Sequence, residues 1–133
     1  MYKIYIDGKD GLGWSIDKDR EHLEKSISRI GCQVTNNFIS ADIIHNIWWD
    51  SLLSRKKYLL RFKKKILVTT SNFVNLHDNK YRLRDRLDEV NKFSTAWIET
   101  ISKQNKVFDE FNIQTYYLLF TIDIDILDGY YCE

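Results

Sequence analysis

The feature that most constrains this chain is the way short, nearly continuous apolar runs take turns with stretches of helical spacing. The runs "ADIIHNIWW" (residues 41–49) and "KKILVTT" (64–70) show little of the in-and-out alternation that a half-wetted strand needs. Continuous apolar strands are those covered on both faces, and parallel sheets have that property because crossover helices lie above and below them. Right-handed crossovers distribute the helices over both faces. The pattern predicts a Rossmann-like, three-layer α/β/α fold with a mostly parallel sheet of about six strands. At 133 residues the chain is expected to form one domain.

The remaining elements fit that frame. Residues 2–7 predict a first strand with Ile4 and Ile6 on one face, ended by Gly8. Asp17 has the signature of a helix N-cap: Asp19 and Glu21 fill the first turn, Lys25 and Arg29 suit the last, and Gly31 supplies the stop. Leu23, Ile27 and Ile30 give that helix one apolar stripe. "CQVT" predicts a second strand, residues 50–62 a helix, and residues 80–93 another with Leu83, Leu87 and Val90 in register. "STAWIETI" reads as a fifth strand, Ser102 as the cap of a short helix, and "IQTYYLLF" as a sixth strand.

Composition excludes several classes. With 44% hydrophobic and 14% aromatic residues the chain is not disordered, and a net charge of +1 argues against a surface given over to nucleic acid. No apolar stretch reaches the ~18 residues that span a bilayer, and the start "MYKIYIDGKD" lacks the order of a signal peptide. A cytoplasmic location is expected. Cys32 and Cys132 then read as free thiols, and no metal site follows from them.

In a parallel α/β fold the ligand lies beyond the C-terminal strand ends. That singles out the loop after Asp7, the residues after His45, the turn at Ser71 and Asn72, and Ser102. The loop "DGKDGLGWSID" spaces Gly8 and Gly13 as a phosphate-binding P-loop does, yet Trp14 stands where the lysine belongs. A dinucleotide fingerprint starting at Gly11 fails at Ile16. What survives is a glycine loop that lets backbone approach a ligand closely, followed by a helix N-terminus that attracts anions; the plainer reading is a long surface turn. A phosphoreceiver would use Asp7 and Asp50, but Gly8 stands where its second carboxylate belongs. Thr100 and Ile101 stand where its lysine belongs, and Lys103 comes too late.

His45, inside an apolar strand, reads as a structural histidine, and His22 as a solvated one. His77 beside Asp78 is a candidate base in a loop and equally a polar turn. Trp48, Trp49 and Trp97 read as core, with Trp48 and Trp49 also placed to offer a sugar ring an aromatic platform. The run "SRKKYLLRFKKK" reads either as a solvated helix end or as a basic amphipathic surface suited to anionic lipid headgroups. With no recognised binding module beside it, nucleic acid is not the expected partner.

Five segments in order, "YIDGKDGLGWSID", "ADIIHNIWW", "KKILVTTSNF", "STAWIETISKQNKVFDEFNI" and "YYLLFTIDIDIL", cover nearly the whole chain. Together they resemble the N-terminal domain of GT-B fold glycosyltransferases of the family 4-like, retaining group. The resemblance implies the acceptor-binding half of an enzyme that moves a sugar from a nucleotide-sugar donor to a sugar or lipid-linked acceptor, with no other cofactor. By that similarity Gly11, Gly13 and Trp14 face the donor phosphates, and His45, Trp48, Ser71 and Asn72 line the acceptor cleft. His77 stands near the place of a histidine that some relatives carry after the fourth strand. Lys56, Lys57, Arg61, Lys63, Lys64 and Lys65 fit a membrane-facing patch, which would make the protein peripheral at a membrane. The family's donor-binding domain, with its pair of glutamates, is expected just after "FTIDIDILDGYYCE", so the domain is expected to be truncated and inactive alone. The competing class is a non-enzymatic α/β binding or interaction module.

Overall fold

The computed structural model of the protein describes residues 1–13, 15–70, 80–99 and 115–117. Six strands build one sheet: β1 (Lys3–Asp7), β2 (Gln33–Val34), β3 (Ile43–Asn46), β4 (Lys65–Thr70), β5 (Ala96–Glu99) and β6 (Thr115–Tyr117). Their order is β2-β1-β3-β4-β5-β6, and every pairing is parallel. Helix α1 (Ser15–Arg29) follows β1. A 3-10 helix (Trp49–Arg55) running into α2 (Lys56–Arg61) follows β3, and α3 (Lys80–Phe93) precedes β5. This is a Rossmann-like α/β fold, as the alternation of elements predicts. The crossovers explain its two cores, because β1 sends the chain one way to β2 while β3 and β4 send it the other way.

Beneath α1, Ile4 and Ile6 of β1 pack with Ile16, Ile27 and Ile47, and Leu23 and Trp48 close the cluster from its margin. On the opposite face Ile44, Ile66, Val68 and Trp97 of the central strands pack under Trp49, Leu52, Leu59, Leu87 and Val90. Burying one such aliphatic side chain is worth roughly 1.5–3 kcal/mol, so these clusters carry most of the driving force that holds helices to sheet. Trp97 keeps its indole N–H satisfied by donating to Asn91 Oδ1 and Ser94 Oγ at the end of α3. Trp49 and Trp97 are core, as expected; Trp49 also lies under the Arg86 guanidinium.

Three boundaries and one buried position depart from the sequence reading. The apolar run 41–49 is strand only as far as Asn46: at Trp48 (φ −136°, ψ 87°) the chain turns into the 3-10 helix, whose first residue Trp49 drops into the core. The helix expected over 50–62 is two pieces, because Arg55 (φ −101°, ψ 11°) is not helical and joins a 3-10 segment to a short α-helix. Helix α1 begins at Ser15, so Asp17 lies in its first turn and is not its cap. Ile30 falls outside the buried stripe, 74% exposed, whereas Ile27 is 4% exposed. Gly31 does end α1: it takes φ +77°, and the Cys32 amide reaches back to the Ile27 carbonyl at 3.1 Å. Cys32 is a free, partly buried thiol. Among the described residues no helix is long and apolar enough to cross a membrane.

Candidate functional site

Strand order reverses direction in sequence at β1, with β2 on one side and β3 on the other, so the crevice beyond the C-terminal ends of β1 and β3 is where such a sheet places a ligand. Asp7 and Asn46 are register partners there and close the two strands. Both side chains point to the α3 side of the sheet, since residues two apart share a face with Tyr5 and Ile44. Asp7 is 3% exposed and Asn46 is fully buried.

A buried carboxylate needs a partner, and the 3-10 helix supplies it. Arg55 Nε donates to Asp7 Oδ1 at 2.6 Å, and Arg55 Nη2 donates to the Tyr5 hydroxyl at 2.7 Å. The guanidinium also lies over the rings of Tyr5 and Phe38. Burial is the largest single effect and weakens its charged form, but the hydrogen bonds and charge interactions with Asp7 and Tyr5 together outweigh it and raise the Arg55 pKa above its ordinary value. Asn46 Nδ2 donates to the other Asp7 oxygen at 2.7 Å and to Ser51 Oγ at 3.2 Å. Ser51 in turn donates to the Trp48 carbonyl at 2.7 Å. One atom of this network has no partner: Asn46 Oδ1 is buried without a hydrogen bond. Its orientation is fixed because the opposite amide orientation would set oxygen against the Asp7 carboxylate.

The glycine loop rises from the same strand end. Gly8 takes φ +104°, and a Cβ there would lie 3.1 Å from Ile47 Cγ1 and 3.2 Å from the Trp48 backbone nitrogen. Only glycine lets the loop pass this close to the turn after β3. Beyond it, Gly11 and Gly13 do not present open amides. Gly13 N–H donates to Asp17 Oδ2 at 2.9 Å, and the Asp10 and Gly11 amides donate to Asp17 Oδ1 at 3.1 and 3.4 Å. The Asp17 carboxylate therefore occupies the anion position that the loop forms. The Gly13 amide is the main reason its pKa is lowered; a smaller desolvation effect works the other way, and Asp10 and Gly11 add to the lowering. Arg20, one turn further along α1, ties the helix to the strand end by donating to the Ile6 carbonyl at 2.7 Å.

His45 belongs to neither group. Its side chain lies on the face opposite Asn46, where Nε2 is 2.7 Å from Thr69 Oγ1. Burial lowers its pKa to about 4, so the ring is neutral at pH 7. This is a satisfied structural histidine. Trp48 borders the crevice and is partly exposed, packed on the α1-side core. Trp14, Ser71, Asn72, His77 and Ser102 lie outside the described residues.

The basic run divides by role. Lys56 is paired with Glu89, and Lys64 Nζ donates to the carbonyls of Ile39 (2.7 Å) and Ala41 (2.6 Å), so both serve the fold. Arg61 lies over the Phe62 ring. Lys57, Lys63 and Lys65 are exposed and unpaired among the described residues. The sequence reading marked the stretch after His45, which begins with Asn46, but gave no role to Asn46, Ser51 or Arg55. Arg55 was hidden inside a run of surface cations, whereas Asn46 left a usable signal as the one amide inside an apolar strand. Among the described residues no group of His, Cys, Asp and Glu could hold a metal ion.

Comparison of the chain with protein-family models, with curated proteins and with solved structures returns no match. The class that the fold itself defines is a parallel α/β domain with a polar crevice at its strand-order reversal.

Proposed function

We propose that this domain is the acceptor-side half of a glycosyltransferase, binding a polyhydroxylated acceptor at the crevice beyond β1 and β3 while a second domain binds the nucleotide-sugar. One observation supports this reading above the others. Around the ends of β1 and β3 lie a buried, partnerless amide oxygen, Asn46 Oδ1, on the α3 side of the sheet, and a partly exposed Trp48 with the Gly8 turn packed against it on the α1 side. A sugar offers hydroxyl donors and an apolar ring face, which is the chemistry such a combination rewards. In this reading the departing nucleotide diphosphate is stabilised by loop amides and the start of α1. Asp17 then acts as a placeholder, released when the phosphate takes its position on Gly11 and Gly13.

A calorimetric titration tests the proposal. Nucleotide-sugars alone are expected to bind weakly, and submicromolar affinity would overturn the half-site assignment. Neutral oligosaccharides are expected to bind and to shift tryptophan fluorescence; no response to any of them would remove the acceptor site.

A second reading rests on a different fact. Asp7 is closed off by Arg55 and Asn46, and the loop amides by Asp17, so both polar groups at the strand ends are already satisfied. That self-sufficiency suits a non-enzymatic α/β binding module. Replacing Asp17 by Asn discriminates: the transferase reading expects stronger binding of inorganic pyrophosphate, the module reading no change.

A further inference from the structure

The glycine loop contains the dipeptide Asp-Gly twice, at Asp7–Gly8 and at Asp10–Gly11. This is the sequence at which a chain most readily rearranges, because glycine has no side chain to obstruct attack by its own nitrogen on the neighbouring carboxyl carbon. The two copies sit in opposite surroundings. At Asp7 both carboxylate oxygens are held, Oδ1 by Arg55 Nε at 2.6 Å and Oδ2 by Asn46 Nδ2 at 2.7 Å, and the residue is buried. Gly8 is closed in as well, with Ile47 Cγ1 at 3.1 Å and the Trp48 backbone nitrogen at 3.2 Å from where a Cβ would lie. Turning the Asp7 carboxyl onto the Gly8 nitrogen means first breaking two buried hydrogen bonds, one of them to a guanidinium.

Asp10 has no such restraint. It is half-buried, the three residues that follow it are exposed, and no cation among the described residues pairs with it. Its Oδ1 accepts from the Leu12 amide at 2.8 Å, which folds the carboxyl back over the Gly11 peptide unit instead of out into water. Beyond its own chain neighbours, no heavy atom lies within 4 Å of where a Gly11 Cβ would begin, so nothing crowds a ring that closes there.

We propose that Asp10–Gly11 is a self-modification site, where an isoaspartyl linkage forms in the folded protein, and that the fold holds Asp7–Gly8 against the same reaction. In the first step the Gly11 nitrogen bonds to Asp10 Cγ and the Cγ–OH bond breaks. The amide proton and the hydroxyl leave together as water, and a five-membered succinimide remains. Water then adds to one of the two ring carbonyls. Addition at Cγ restores aspartate; addition at the main-chain carbon leaves the backbone running through Cβ and Cγ, one methylene longer, with a free carboxylate on Cα. The consequence falls on the anion position of the loop. Asp17 Oδ1 accepts from both the Asp10 and the Gly11 amides, at 3.1 and 3.4 Å, and a methylene inserted between those two nitrogens cannot leave both bonds in place. Modification therefore frees the loop from Asp17. The chemistry needs no sugar and no second domain.

Peptide mapping of the aged protein checks it. Trypsin separates the two sites, placing Asp7 in "IYIDGK" and Asp10 in "DGLGWSIDK". The full chain is kept folded a little below neutral pH and then digested, the isomers are resolved by chromatography, and electron-transfer fragmentation locates the altered residue. The Asp10 peptide is expected to split into isomers of equal mass, accompanied by a form lighter by one water, while the Asp7 peptide stays single. In urea both peptides are expected to convert, because the hydrogen bonds that restrain Asp7 are gone. Asp10→Glu, which keeps the charge but would have to close a larger ring, is expected to lose the product. Asp10→Asn is expected to convert faster than the unaltered chain, with loss of ammonia in place of water. An Asp10 peptide that stays single in the folded protein overturns the proposal. So does equal conversion of Asp7 and Asp10 in the folded chain, or an isomer that fragmentation places at Asp17.

Discussion

Asp7 and Asp17 are the same residue ten positions apart, each accepting several hydrogen bonds at the same end of the sheet, and they do opposite things. Asp7 is buried and held by a guanidinium and an amide from a segment some forty residues away. Asp17 is partly exposed and folds back on amides of its own loop. The first ties the ends of β1 and β3 to the 3-10 helix from inside the protein; the second shapes a turn that water would otherwise solvate. Burial decides the difference, because an unpaired group costs little in water and several kcal/mol out of it.

Substitution at the two sites sharpens the contrast. Asp7→Ala is expected to cost about 3 kcal/mol in denaturant unfolding, toward the low end for a broken buried pair because the Arg55 side chain stays partly exposed. Asp7→Asn should recover part of that loss, since Asn46 can then turn its partnerless oxygen to accept the new amide. A loss under 1 kcal/mol for Asp7→Ala would show that the crevice network is not holding the strands.

Gly8→Ala tests the approach between the two regions, and about 2 kcal/mol is expected, from positive φ together with a Cβ crowded by Ile47 and Trp48. Histidine supplies a pH-dependent effect away from both carboxylates. With its pKa lowered to about 4 from an ordinary 6.5, folded His45 resists a proton that the unfolded chain takes up. Stability from this group is complete above pH 6.5 and is lost as pH falls toward 4; His45→Gln is expected to flatten that slope. Asp17→Asn should give the smallest change in melting temperature while speeding amide exchange at Gly11 and Gly13. Asp17 has its pKa lowered, so its contribution is present above pH 3.8 and fades below it.

The sheet was legible because its strands are written as apolar runs, and α3 because Leu87 and Val90 recur at helical spacing over a window long enough to average out noise. Boundaries were less legible. "NIWW" continues the apolar run of β3, and nothing local says that Trp48 leaves the strand while Trp49 enters the core from a 3-10 turn. The site was legible only in part. Topology pointed to the end of β1, and Asp7 is there, but its partnership with Arg55 is a long-range contact that no spacing encodes. Asp17 was recognised as belonging to a helix start, yet its grip on the loop depends on the path of three glycines in left-handed conformations. That grip changes the loop from an open cradle into one already filled.

The strand order carries a kinetic consequence. Every neighbouring pair in the sheet is consecutive in sequence except β1 with β3, which brings Ile4 beside Ile43. Four pairings can therefore zip locally, and one must wait for a loop of about forty residues to close, the kind of step that slows folding of parallel sheets. Asp7, Asn46 and Arg55 sit on that single non-consecutive seam. Substitutions there should slow refolding more than equally destabilising changes in α3, so the ligand crevice and the fold's late stitch occupy the same few atoms.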